Sequence, residues 1–256
     1  MAKSLCPFLE KTARGAGEIL MAHFGKTHRI KEKRGAGIVT EADTRAEKFI
    51  LKNISRNFPK SSIITEESGK FSGHDDLCWV IDPLDGTTNF AANFPWFCVS
   101  IGVYEKGVPR AGVVYQPVTK EMFTAEKGKG ATLNGKRIHV SRTRKIRESL
   151  LGTGFYYSRG TRLRRELVYF RKLNEVARGV RRPGAAAIDL AFVACGRYDG
   201  FWERGLSPWD VAAGMLLVSE AGGKLSDYKG KDATLFGYEL VASNGHIHNA
   251  MTNRLS

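Results

Sequence analysis

Along the first 24 residues, Leu5, Phe8, Leu9, Ala13, Ala16, Ile19, Leu20 and Phe24 recur at three- and four-residue intervals. That period puts them on one face of an amphipathic helix. Ala46, Phe49, Ile50 and Ile54 repeat the pattern and predict a second helix that stops before Pro59. The period then shortens. Ser62–Thr65 reads as a strand ending in Glu66-Glu67, and Cys78–Ile81 as a strand ending at Asp82. Residues 98–104 and 110–115 read as strands joined by a turn at EKGVP, 121–125 as another, and LNGKRIHV as a hairpin through Asn134-Gly135. This middle portion is expected to be an antiparallel sheet. The second half alternates. A strand is expected at 150–152 and a helix at 161–178, with Leu163, Leu167, Phe170 and Leu173 inward. Further helices are expected at 185–195, stopped by Gly196, and at 209–221, closed by Gly222-Gly223. The fold class is α+β. A boundary near 145 separates an α+β part, 1–145, from an α/β part, 146–256. No Pro/Ser-rich linker marks it, so the two parts are expected to share an interface as one compact unit.

The strand WVIDPLDGTTNF ends in two acids, a proline and a glycine. Asp82 precedes Pro83, which holds its backbone extended, and Asp85-Gly86 makes a turn. Two carboxylates brought that close repel unless a positive charge lies between them. Glu66 ends a strand, Asp210 opens an apolar helix, and Asp43 sits at a helix start. None of the five acids has a His or Cys companion at ligand spacing, so an all-oxygen set favours Mg²⁺, Mn²⁺ or Ca²⁺ over zinc. Gly86-Thr87-Thr88-Asn89 and Gly184-Ala185-Ala186-Ala187 offer free N–H groups at helix starts, a setting for phosphate. Carboxylates beside such nests suit metal-assisted hydrolysis of a phosphate ester. Taken singly, each acid also reads as a turn, a solvated loop residue or a helix cap. Spacing alone leaves both readings open.

Composition narrows the setting. Of 256 residues, 42% are apolar, enough to core one large domain or two modest ones. Cys6, Cys78, Cys98 and Cys195 are scattered without a C-x-x-C pair, which argues against a zinc knuckle or a disulfide scaffold and for a reducing compartment. The N-terminus lacks an apolar signal region, and no run reaches membrane-spanning length, so a soluble, cytoplasmic protein is expected. Net charge is +14, and residues 142–182 concentrate it, with 13 Lys/Arg against 3 Glu. Such a field favours anionic partners.

Thr65-Glu66-Glu67-Ser68, WVIDPLDGTTNF and SPWDVAAGMLLVSEAGG, in this order, resemble the inositol monophosphatase family of Mg²⁺-dependent, lithium-sensitive phosphatases. LNGKRIHVS and GAAAIDLAFVACGRYDGFWE extend the resemblance over nearly the whole chain. It implies a layered αβαβα sandwich of the sugar-phosphatase type, commonly homodimeric, with two or three Mg²⁺ ions and inhibition by Li⁺. Glu66, Asp82, Asp85 and Asp210 match the family's metal-binding carboxylates, and Leu84 the residue that offers its carbonyl. Gly86 and Thr87 match the phosphate-binding turn. Thr87 with Asp43 resembles the pair that orients the attacking water, which Glu66 also reaches through metal. Gly184, Ala185 and Ala186 match the substrate-binding helix start, and Glu203 an acid that contacts substrate hydroxyls. Asp85 and Asp210 also face substrate in this reading. The implied mechanism is direct, in-line attack by metal-activated water, with no covalent phosphoenzyme. Thr65 stands where many members have Gly, Pro183 precedes the substrate helix, and the loop Lys31-Glu32-Lys33-Arg34-Gly35, mobile in the family, differs in detail.

Relatives with this set hydrolyse inositol monophosphates, fructose 1,6-bisphosphate, histidinol phosphate or 3′-phosphoadenosine 5′-phosphate. Thr88-Asn89-Phe90 resembles the inositol branch, so inositol monophosphate is the expected substrate. Fructose 1,6-bisphosphate, or a broad range of sugar and polyol phosphates, is the alternative. A role of another class would use the basic segment 142–182 to bind RNA or an acidic region of a transcription complex. A charge run is more often a solvated face or a dimer interface, and the interleaved aromatics, Phe155, Tyr156 and Tyr157, are few for base stacking.

Overall fold

The computed structural model describes residues 4–26, 31–32, 38–155 and 160–256. Helix α1 (Cys6–His23) forms on the expected face, with Leu9, Ala13, Ala16 and Leu20 fully buried. Strands β1 (Lys31–Glu32) and β2 (Ile38–Val39) pair antiparallel. Lys33, Arg34 and Gly35 of the expected mobile loop lie outside the described residues, as do Tyr156 and Tyr157. Helix α2 (Glu41–Asn57) opens on a capping box: Thr40 Oγ1 accepts the Ala42 N–H, and the Asp43 carboxylate accepts the Thr40 N–H at 2.8 Å.

Eight strands then build the larger sheet: β3 (Ser62–Thr65), β4 (Gly69–Phe71), β5 (Leu77–Asp85), β6 (Cys98–Glu105), β7 (Val108–Gln116), β8 (Glu121–Glu126), β9 (Gly130–Leu133) and β10 (Lys136–Ile138). Their order is β10-β9-β8-β7-β6-β5-β3-β4, antiparallel except for β3 beside β5. A short helix, α3 (Thr87–Ala91), lies between β5 and β6. The smaller sheet joins β11 (Leu150–Thr153), β12 (Gly179–Arg181), β13 (Gly200–Arg204), β14 (Lys224–Ser226) and β15 (Glu239–Ser243) in the order β12-β11-β13-β15-β14. Around it come α4 (Thr161–Asn174), α5 (Ala186–Ala194), α6 (Pro208–Glu220) and α7 (His248–Leu255).

Helices α1 and α2 cover one face of the larger sheet, α5 and α6 fill the space between the sheets, and α4 and α7 cover the far face of the smaller one. The result is the expected αβαβα layering. It explains why α5 and α6 are apolar on all sides: each packs between two sheets, and α6 buries Val211–Val218 without a break. Gly102 of β6 and Gly112 of β7 let α6 approach closely; a Cβ on Gly102 would come within 2.7 Å of the Ala212 Cβ.

Two expectations are corrected. Strand β5 does not stop at Asp82. It runs to Asp85, with a break in register between Asp82, opposite Ser100, and Asp85, opposite Cys98. Pro83 is tolerated because it sits in that break, where no ladder N–H is needed. Helix α4 ends at Asn174, not 178, and its inward face is rotated. Leu167 is 48% exposed, while Glu166 is buried against Arg204. The ion pair of Glu166 with Arg204, at 3.4 Å, and the burial of Leu173 set that rotation.

Candidate active site

The break in β5 turns two strand residues into a pair of aimed acids. Asp82 Oδ1 accepts the Leu84 N–H at 2.9 Å, closing a tight loop over Pro83. Gly86 follows with φ 93° and begins α3. Only glycine suits this position, since a Cβ would also meet the Trp96 carbonyl at 2.8 Å. Asp85 is turned the other way. Its Oδ2 accepts the Ala187 N–H at 2.7 Å across the interlayer space. A carboxylate therefore occupies the start of α5. The expectation that Gly184-Ala185-Ala186-Ala187 presents free N–H groups to phosphate is corrected at Ala187, whose N–H is taken by Asp85.

Asp43 and Thr87 do meet. Thr87 Oγ1 lies 3.1 Å from Asp43 Oδ1 and 3.0 Å from the Leu84 carbonyl, while Asp43 Oδ2 is held by both the N–H and hydroxyl of Thr40. Asp210 is the third helical residue of α6, and its Oδ2 accepts the Ser207 N–H at 2.7 Å. Glu66 follows β3 in a turn organised from below by Glu47. That buried carboxylate accepts from Thr65 Oγ1 at 2.7 Å, Ser68 N at 3.1 Å and Ser68 Oγ at 2.5 Å. Glu203 lies flat on Gly154, where a Cβ would overlap its carboxylate.

These acids share one electric field. Burial pushes the Asp82 carboxyl well up, and Glu66, Asp85 and Asp210 push it further. Burial likewise raises Asp85 to about 7, against the bonds from α5 and with Glu66 adding to the rise. Glu203 is raised well up by burial and then by Asp210. The donor set is all oxygen, and its mutual repulsion calls for a hard cation. In chemistry and charge the residues fit Mg²⁺. Among the described residues, however, no three His, Cys, Asp or Glu side chains close around a single point. The acids stand near one another without forming a finished cage.

A cavity of about 140 Å³ opens beside them. Of the expected residues, Asp85, Gly184, Ala185, Ala186, Glu203 and Asp210 line it. Asp43, Glu66, Asp82, Leu84, Gly86 and Thr87 are not on its wall. A larger groove of about 550 Å³ runs between α1 and α2, but it has no comparable group of acids.

The sequence reading placed Asn89 in the expected anion site and Arg182 beside Gly184, where its charge would attract substrate phosphate, but gave no contacts for either; Asp189 and Glu47 escaped it. Asn89 Nδ2 bonds to the carbonyls of Trp96, at 2.8 Å, and Pro183, at 2.9 Å, tying α3 to the segment before α5. Phe155 and Arg182 complete the cavity wall. Asp189, buried in the first turn of α5, keeps Oδ1 without a hydrogen-bond partner among the described residues and is raised by burial, then by Glu203 and Asp85. Glu47 did leave a signal: it is a charged residue beside Ala46 and one turn from Ile50, on the apolar side of its helix.

The model of the inositol monophosphatase family matches residues 1–256. The chain belongs to that family. An inositol-1-monophosphatase of Synechocystis sp. is 48% identical over 243 residues, covering 94% of this chain and 85% of that protein. A protein of Escherichia coli (strain K12) named Nus factor SuhB is 43% identical over 244 residues, covering 94% and 91%. Among solved structures, the extragenic suppressor protein suhB from Bartonella henselae superimposes with a TM-score of 0.95 at 38% identity, covering 99% of each chain. The family and these relatives support phosphatase activity.

Proposed function

We propose that this chain is a Mg²⁺-dependent phosphomonoesterase that hydrolyses inositol monophosphate by direct attack of water. The observation that carries this reading is the shared field of Glu66, Asp82, Asp85 and Asp210 beside a small cavity. Those four side chains and the Leu84 carbonyl are the groups that would hold two or three ions. Bound there, Mg²⁺ neutralises phosphate charge and lowers the pKa of water. The chain's own residues do the rest. The N–H groups of Gly86 and Thr87 grip phosphate oxygens. The Thr87 hydroxyl donates to Asp43, which leaves its oxygen to accept from the water aimed at phosphorus. Glu203 accepts from a polyol hydroxyl, and Gly184–Ala186 bound the ring. The water oxygen bonds to phosphorus as the ester P–O bond breaks in line. No thiol attack is needed: burial holds the Cys98 thiol well up, and no Cys or His among the described residues lines the cavity.

The test is phosphate release from myo-inositol 1-phosphate with Mg²⁺, with EDTA, and with Mg²⁺ plus Li⁺, beside fructose 1,6-bisphosphate. Release is expected to stop with EDTA and to fall with Li⁺. Asp85→Asn and Asp210→Asn are each expected to lower kcat by about a hundredfold or more with the circular dichroism spectrum unchanged. Full activity in either variant sinks the metal assignment. Preference for the bisphosphate keeps the mechanism and changes the pathway. We also propose a cytoplasmic homodimer, which light scattering of the purified protein and cell fractionation check.

A second reading rests on the basic segment and on the relative named Nus factor. Arg164, Arg165, Arg171, Arg178 and Arg181 are exposed, a charge that suits RNA or an acidic partner in a transcription complex. A salt-dependent RNA mobility shift that persists in Asp85→Asn supports this role. Absence of RNA affinity at physiological salt ends it.

A further inference from the structure

Glu203 is the acid that the smaller sheet brings to the cavity wall. Its surroundings do not favour its charge. Burial, then Asp210, pushes its carboxyl well up, and Arg182 offsets only part of that rise. Among the described residues its carboxylate forms no hydrogen bond. Its place must therefore come from the backbone that carries it. Glu203 is the next-to-last residue of β13, and a strand end opens readily unless it is tied down.

Arg204, the last residue of β13, is such a tie. Successive side chains of a strand leave by opposite faces, so Arg204 turns from the cavity toward α4. There it bridges two carboxylates. Its Nη2 meets Glu239 Oε1 of β15 at 2.5 Å, and its Nη1 lies 3.4 Å from Glu166 Oε1 of α4. Glu239 is also the register partner of Arg204, so this ion pair holds two strand ends side by side. The Gly205 N–H donates to the Tyr238 carbonyl at 2.7 Å just beyond. The guanidinium carbon stands 5.0 Å from the ring centroid of Tyr228, 5.5 Å from that of Tyr169 and 6.0 Å from that of Tyr238, within cation–π range. The Arg204 side chain is 12% exposed and that of Glu166 4%. Ion pairs so buried add little net stability over an apolar replacement, and their best-attested use is to fix register. A slip of one residue in β13 would turn Glu203 toward Glu166 and Arg204 into the cavity.

We infer that Arg204 is a positioning residue for substrate selection: by tying the end of β13 to α4 and β15, it holds Glu203 where it meets a substrate hydroxyl. This rests on the contact proposed above between Glu203 and a polyol hydroxyl, and adds the residue that enforces it.

The test is a ratio, kcat/KM for myo-inositol 1-phosphate over kcat/KM for phenyl phosphate, which has no hydroxyl for Glu203 to accept from. In wild type the ratio is expected to be about ten or more, and Glu203→Ala is expected to remove most of that preference. Arg204→Met is expected to lower the ratio by about tenfold, mainly through KM for the inositol ester, with phenyl phosphate turnover kept. Arg204→Lys keeps the charge without the fork and is expected to recover part of the loss. In the Glu203→Ala background, Arg204→Met is expected to change the ratio no further. Glu166→Gln and Glu239→Gln each remove one anchor and are expected to lower the ratio by a smaller factor; they carry the test if Arg204→Met does not fold. Equal losses on both esters, or a further fall of the ratio in the double variant, overturn the inference and make Arg204 a stabilising residue only. So does an unchanged ratio in folded Arg204→Met, or in both anchor variants. An unchanged ratio in Glu203→Ala overturns the hydroxyl contact itself, and the role of Arg204 with it.

Discussion

Glu47 is the least obvious of the residues that shape this site. It is buried on α2 and, among the described residues, accepts only from neutral donors, of Thr65 and Ser68. Those bonds fix the turn that carries Glu66. Glu47→Ala leaves two hydroxyls and an N–H without their acceptor. It is expected to cost about 1–3 kcal/mol of stability and to raise the Mg²⁺ concentration needed for half-maximal activity. Urea unfolding and a Mg²⁺ titration check the two effects separately; a loss of stability with unchanged Mg²⁺ dependence makes Glu47 purely structural. Asp85 makes a different prediction. Its folded pKa is raised to about 7, while the unfolded chain's carboxyl titrates near about 4. The folded, metal-free protein therefore holds a proton over that interval, and its stability falls as pH rises from about 4 to 7. Above pH 7, Asp85→Asn is expected to raise the Tm of the metal-free protein, because it removes a buried charge and keeps an acceptor for the Ala187 N–H. A Tm at or below wild type under EDTA refutes that account. In wild type, Mg²⁺ affinity is expected to climb with pH up to about 7, as the proton ceases to compete.

At the scale of elements, the acids are positioned by two repeated devices. One is the capping box, which sets Asp43 at the third residue of α2 and Asp210 at the third residue of α6. The other is the interrupted strand end, which separates Asp82 from Asp85. Both left traces in the chain: Thr40-x-x-Asp43 and Ser207-x-x-Asp210 are visible as strings, and Asp-Pro-x-Asp-Gly marks the strand end. The direction of Asp85 left none, because its partner, the Ala187 N–H, is 102 residues away. The rotation of α4 was hidden for the same reason: Glu166 turns inward only because Arg204 waits on β13. Close approach of α6 to the larger sheet needs Gly102. Gly102→Ala is expected to push α6 outward, to cost about 1–3 kcal/mol and to lower kcat/KM through displacement of Asp210. Thermal unfolding and kinetics on the same preparation check this; unchanged values in both show that the layer spacing has slack.

Across the whole molecule, the site lies where two sheets share a helical layer. Glu66, Asp82 and Asp85 come from the larger sheet, Glu203 from the smaller one, and Asp210 from the α6 layer between them. Asn89 spans that junction through the Trp96 and Pro183 carbonyls. Asn89→Ala strands those acceptors and frees the segment before α5. It is expected to destabilise by about 1–3 kcal/mol and to raise KM for the phosphate ester more than it lowers kcat, since it loosens the cavity wall without touching the acids. A change in kcat alone contradicts that role.

The hydrophobic periods marked α1, α2, α4, α5, α6 and most strands of the larger sheet, but four of the five strands of the smaller sheet, β12–β15, carried no such signal. The acid-rich strings named the candidate residues of the site, because each acid sits at an element end that local sequence marks with a cap, a proline or a glycine. Only the tertiary structure decided what those residues face. It filled the start of α5 with Asp85, turned Glu166 inward, set Glu47 beneath the Glu66 turn and brought Arg182 over the Phe155 ring, 5.6 Å from its centroid. Each of these depends on a partner far along the chain, and the short-range spacing of residues carries no record of which distant group will fill a given face.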